Sequence, residues 1–151
     1  NNFLLGLRLS PERFGLKLQE IKSLCELLID DGALDFLDMS LWDSFKLPNE
    51  LDYRDKDLLS HFADLDRGLL KLTVAGKIMT SDDVYKVLDS GVDFVTIGRA
   101  GILHYDYPNR VINESDFVPV TLPVSREYLG SQALSPKFIS YMDSWDGFVE
   151  D

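Results

Sequence analysis

The stretch from Leu70 to Ala100 reads as strand, glycine turn, helix, strand, glycine turn, and few folds accommodate it. Leu70 to Ala75 is a short apolar run broken by Gly76-Lys77. Val84, Val87 and Leu88 then fall at helical spacing after Thr80 and Ser81, either of which suits an N-cap, and Gly91 stops that helix before Phe94 to Ile97 and Gly98-Arg99. A strand, a helix and a second strand in so few residues predict parallel strands joined by a right-handed crossover. Both strands then finish at one rim, each in a glycine followed by a cation. Glycine lets main chain approach an anion without Cβ interference, and unpaired amides beyond a strand or at a helix start attract negative charge. The pattern predicts a phosphate site.

The unit repeats. Asp31 to Phe36 and Ser90 to Phe94 both set a helix-ending glycine just ahead of an acidic residue and a strand. Upstream, a strand from Phe3 to Leu9 leads through Ser10-Pro11 to a helix with Ile21, Leu24, Cys25 and Leu28 on one stripe, ending before Gly32. A strand from Leu34 to Ser40 leads through a long loop with Pro48 and Tyr53 to a helix near Lys56 to Asp66 carrying Leu58, Leu59, Phe62 and Leu65. Four such units predict an α/β fold with parallel strands alternating with helices, and chemistry at the carboxyl ends of the strands. His61 falls on the second helix and is expected to face solvent, whereas His104 follows the last glycine turn.

After Arg110 the pattern breaks down. Pro136 following Ser135 opens a short helix with Phe138, Ile139 and Met142, and Tyr141, Trp145 and Phe148 read as core or interface anchors. The expected organisation is residues 1–110 as the repeated units and 111–151 as a tail packing on them or on a partner.

A net charge of -11 excludes a general nucleic-acid or anionic-membrane surface, so an anionic ligand needs a local basic pocket. Cys25, the single cysteine, lies on an apolar helical stripe and is expected to be a buried thiol in a reducing, cytoplasmic setting. Two distant histidines and one cysteine make no zinc-type ligand set. No apolar run approaches the roughly 20 residues that span a bilayer. Asn1-Asn2 carries neither an initiator methionine nor a signal peptide, and a strand that begins at once reads as part of a longer chain.

Leu7 to Pro11, Leu28 to Ser40, Ala75 to Thr80 and Ile97 to Arg99, in this order and spacing, resemble the old yellow enzyme family of FMN-dependent NAD(P)H oxidoreductases. The likeness spans about the first 110 residues and corresponds to strands five to eight, the second half of a TIM-type (β/α)8 barrel. It implies FMN as cofactor and NAD(P)H as reductant, with hydride passed on to an electron-poor alkene or similar small-molecule acceptor. By resemblance, Arg8 meets the flavin N1–O2 edge. Ala75, Gly76 and Lys77 form one turn of the phosphate cradle, and Ile97, Gly98 and Arg99 form the other. Ser40, Trp42 and Asp43 follow strand six at the same rim and are candidates to line the flavin or the substrate approach; Asp38 or Asp43 pairing with Arg8 or Lys46 is the structural alternative.

The family's carbonyl-gripping donors and its proton-giving tyrosine belong to the first half of the barrel, so no catalytic residue is assigned in this chain. Nor does the tail offer an arginine for a neighbouring active site beyond Arg126, its sole arginine after Arg110. The open strand edges of such a half-barrel invite the missing half or a second copy as partner. Two other classes fit the glycine turns: a different phosphate-binding barrel enzyme, or a half-barrel that binds without turnover.

Overall fold

The computed structural model describes residues 3–150; Asn1, Asn2 and Asp151 lie outside them. The chain forms two compact units. The first comprises the described residues through Ile78 together with Asp83–Thr96, and the second comprises Met79–Asp82 and Ile97 onward.

The first unit is a parallel sheet of β1 (Gly6–Leu9), β2 (Phe36–Ser40), β3 (Lys71–Ala75) and β4 (Phe94–Val95), in sequence order. Between the strands run α1 (Leu18–Asp31), α2 (Leu58–Ala63) and α3 (Ser81–Asp89). The predicted alternation of parallel strands and helices is therefore present. Strands in sequential order require every crossover to step the same way, and right-handed crossovers then put the helices on one face. Burial follows the two-residue period of a strand: Leu37, Met39, Leu72 and Val74 are sealed, while Phe36, Asp38 and Ser40 between them are half-buried and Phe94 is 43% exposed. The side carrying Leu37, Met39, Leu72 and Val74 is the better covered, although on β1 Leu7 and Leu9 are only half-buried there, and on the other side Thr73 is also sealed.

Local chemistry sets the helix limits. In α1, Glu50 accepts the Leu18 N–H at 2.5 Å and Glu20 accepts that of Lys17 at 3.1 Å, and Gly32 closes the helix in a left-handed turn that returns its N–H to Leu28. Asp57 caps α2 by accepting the Ser60 N–H. At the amino-terminal ends of β3 and β4, Asp93 accepts the Leu72 N–H at 2.9 Å and pairs with Lys71 at 2.8 Å and Arg67 at 3.5 Å. Burial works to raise the Asp93 carboxyl, but these donors outweigh it and hold the pKa below the ordinary range.

Cys25 is fully buried on the apolar stripe of α1, and burial raises its thiol to about 11, so it is an inert core group. His61 departs from expectation. It is 2% exposed, with its Nε2 2.8 Å from the Tyr53 carbonyl, because a 3-10 turn at Leu51–Tyr53 folds over the helix. The strands are also shorter than read: β1 starts at Gly6, since the Leu5 N–H is taken by the Asp35 carboxylate at 2.7 Å rather than by a neighbouring strand.

The second unit holds α4 (Arg99–Leu103), α5 (Tyr107–Asn113), α6 (Arg126–Ser131) and α7 (Pro136–Met142), with a two-residue parallel pair, β5 (Val124–Ser125) and β6 (Val149–Glu150). Its core joins Leu103, Val124, Leu129, Ile139, Met142 and Phe148. Ser125 and Ser135 cap α6 and α7 by accepting N–H groups three residues on. The helix expected at Pro136 is present, whereas β5, α6 and β6 are too short to leave a periodic signal. Of the three aromatic anchors, Phe148 is buried, and Tyr141 and Trp145 remain 54% and 41% exposed. Among the described residues no helix is long and apolar enough to cross a membrane.

Candidate functional site

In the first unit, the half-open side of the sheet carries a polar row at the carboxyl ends of the strands. Arg8 on β1 stands opposite Asp38 on β2, donating from Nη2 to Ser40 Oγ at 3.1 Å and pairing from Nη1 with Asp38 at 3.5 Å. Half of its side chain stays exposed, which leaves guanidinium donors for a ligand. Thus the pairing of Asp38 with Arg8 foreseen as the structural alternative is present, and it orients the arginine without burying it.

Ser40 lies beside Ala75 in the register, and the chain passes next to Gly76 and Lys77. Here two loops are tied together: Leu41 N–H donates to Ala75 O at 2.7 Å and Ser44 N–H to Gly76 O at 3.0 Å. The approach is tight enough that a Cβ on Gly76 would sit 3.0 Å from the Asp43 N, the Ser44 N and the Ser44 Oγ. A side chain there would crowd the loop behind the turn. Lys77 takes a left-handed backbone, φ 51°, and its Nζ pairs with Asp43 at 2.9 Å. Burial tends to raise the Asp43 carboxyl, but Lys77, the Phe45 N–H and the charge of Lys46 together hold its pKa below the ordinary range. The Lys77 charge is therefore committed within the protein. By contrast, no acceptor among the described residues takes the Gly76 or Lys77 N–H. Ser44 Oγ, behind this turn, is buried without a hydrogen-bond partner among the described residues. Two adjacent free amides on a half-open turn make a small anion-binding concavity.

Trp42, in the loop after β2, is 62% exposed, with the Arg13 guanidinium 4.7 Å above its ring. The sequence reading passed over Arg13, Phe14 and Ser44, because only the meeting of two loops gives them a role.

In the second unit, Gly98 opens α4 with φ -106° and ψ -97°, and a Cβ there would meet nothing within 4 Å. Arg99 beside it is half-buried, and its side chain makes no hydrogen bond or ion pair among the described residues. Ile97 is half-buried and packs near Gly101. His104, five residues beyond Arg99, is 4% exposed, accepts the Val120 N–H at Nε2 (3.1 Å) and faces the Tyr128 hydroxyl at Nδ1 (3.3 Å). Since the Tyr128 O–H donates to the Leu103 carbonyl at 2.8 Å, its oxygen receives Nδ1–H, which fixes a neutral tautomer. The ring is structural.

Burial first, then the Arg110 cation, lowers the His104 pKa below its ordinary 6.5. The folded ring resists a proton that the unfolded chain accepts, so stability is complete above that value and is lost as pH falls through it. Urea unfolding followed by Trp145 in a Trp42→Phe background is expected to show the second unit weaker at about pH 5.5 than at about pH 8. In His104→Gln that difference should largely vanish; an equal pH dependence in the variant would assign it elsewhere.

The chain matches no protein-family model, and no curated protein matches it.

Proposed function

We propose that this chain forms the FMN-holding part of an NAD(P)H-dependent oxidoreductase of old yellow enzyme type, built as the second half of a (β/α)8 barrel. The observation that carries the reading is the pair of free amides at Gly76 and Lys77, on the same rim as a half-exposed Arg8. The residues fit the cofactor in kind. A phosphate suits two main-chain donors with a lysine nearby, and an always-charged planar fork at Arg8 suits the electron-rich N1–O2 edge of a flavin. Arg8 and Gly76 are two strands apart, about 10 Å at ordinary strand spacing, so one elongated ligand can engage both.

Bound FMN would supply hydride transfer between NAD(P)H and an electron-poor alkene or similar acceptor. The chain's own part is anchorage and charge. Gly76 and Lys77 donate to the phosphate through the backbone, and Arg8, held by Ser40 and Asp38, offsets negative charge at the pyrimidine edge. The half-open face of the sheet supports a covering partner, a first half-barrel or a second copy, because parallel sheets are ordinarily buried on both sides.

Titration of the full chain with FMN, followed by quenching of flavin fluorescence, tests this reading. Saturable binding and bleaching of the flavin by NADH or NADPH are expected; a chain that takes up no FMN sinks it. The resemblance also assigns Arg99 to the phosphate. Arg99→Ala should then weaken FMN binding by about 1.5–3 kcal/mol for each charge-assisted bond lost, and an unchanged affinity would remove Arg99 from the assignment.

A further inference from the structure

Three residues with side chains adopt left-handed backbone in the loops that follow β1 and β2: Glu12 (φ 62°), Phe14 (φ 58°) and Trp42 (φ 63°). At the opposite ends of the strands the same conformation is given to glycine, at Gly32, Gly68 and Gly91, and in the first loop Gly15 takes it beside Phe14. Glycine adopts this conformation without strain because it has no Cβ to clash there, whereas a residue with a side chain is strained in it. Burial does not repay the cost in the first loops, since Phe14 is 86% exposed and Trp42 62%. What the strained turns achieve is a particular display of side chains.

The display is a held cation above an apolar floor. The Arg13 guanidinium lies 4.7 Å from the Trp42 ring centre and 5.4 Å from that of Phe14, which holds it against both rings. It makes no hydrogen bond or ion pair among the described residues, so its N–H fork is available. Beside it is a cavity of about 240 Å³ floored by the buried Pro11 and Leu41. Glu12, the one carboxylate in the lining, is turned inward and neutralised: Lys46 Nζ is 2.7 Å from it, and it accepts the Asn49 N–H. The lining therefore keeps one cation in excess, in a chain whose net charge is -11.

We propose that this cavity binds a small planar carboxylate, an aromatic or conjugated acid, with its carboxylate on the Arg13 fork and its flat body against Trp42, Leu41 and Pro11. A planar guanidinium matches a carboxylate through two parallel N–H bonds. The volume lies below that of drug-sized pockets, which restricts the occupant to about one ring with a short side chain. The site uses neither the Gly76–Lys77 turn nor Arg8, and it stands whether or not the chain holds FMN.

Calorimetric titration of the full chain with trans-cinnamate, and with its methyl ester as the neutral counterpart, tests the proposal. Cinnamate is expected to bind with a Kd below about 1 mM and the ester at least about tenfold more weakly. Quenching of Trp42 in a Trp145→Phe background should report the same Kd. Arg13→Gln should weaken cinnamate at least about tenfold with unchanged circular dichroism, while Lys137→Gln, on the other unit, should not. No binding of cinnamate, equal affinity for the ester, or an unaffected Arg13→Gln would overturn the proposal.

Discussion

Replacing Leu72 by alanine is expected to cost the first unit about 2–5 kcal/mol, against a total domain stability of roughly 5–15 kcal/mol. Leu72 is fully buried on the covered side of β3, the strand that pairs with both β2 and β4, and it stands directly opposite the equally buried Leu37. The substitution removes methyl groups from a site enclosed on every side, and a strand held by two neighbours has little freedom to collapse into the space. Leu69, three residues earlier, is 96% exposed, and Leu69→Ala should stay within about 0.5 kcal/mol. Urea unfolding monitored at Trp42, in a Trp145→Phe background, measures both. A loss under about 1 kcal/mol for Leu72→Ala would mean that the helices do not seal this face.

The contrast between two leucines in one short run shows where sequence reading succeeds and where it stops. Parallel strands alternating with helices were legible because Gly32 and Gly91 punctuate two helices just before two strands, and because α1 carries a clear apolar stripe through Ile21 and Cys25. Strand limits were not, since a strand ends where its partner stops: Leu5 loses its place in the ladder to the Asp35 carboxylate. His61 was misread for a related reason. Nothing in the periodicity of α2 announces that the Tyr53 carbonyl folds over that helix face. Beyond Arg110 the helix opened by Ser135-Pro136 was legible, but the two-residue strands and a six-residue helix containing Gly130 carry no period.

The candidate site divides the same way. Gly76, Lys77 and Arg8 stood out as residue types at strand ends, but their roles depend on what lies across the sheet. That Asp43 absorbs the Lys77 charge, that Ser40 and Asp38 steady Arg8, and that Arg13 rests on Trp42 are all contacts between loops distant in sequence. Composition constrained only the sign of the problem. In a chain this acidic an anionic ligand needs a local cation, and Arg13 and Arg99 are among those that carry no ion pair among the described residues.

Gly76→Ala and Lys77→Ala are expected to separate two ways of holding an anion. An added Cβ at Gly76 meets the main-chain nitrogens of Asp43 and Ser44 at 3.0 Å, and backbone tied by the Ser44 N–H to Gly76 O bond cannot move aside as a flexible side chain would. The turn itself must shift, at about 1–3 kcal/mol of overpacking, and the two free amides shift with it. FMN affinity should then fall by at least about tenfold, the change equal to 1.4 kcal/mol. Lys77→Ala leaves both amides in place and removes an exposed ion pair worth about 0–1 kcal/mol, so neither stability nor FMN affinity should change by more than that. Thermal unfolding and flavin titration of the two variants provide the test. If Lys77→Ala abolishes binding while Gly76→Ala spares it, the lysine charge holds the phosphate, its pairing with Asp43 must open on binding, and the backbone-donor assignment fails. If Gly76→Ala alone does the damage, glycine serves two ends at once: it admits the loop behind the turn and leaves the amides in front of it clear for the ligand.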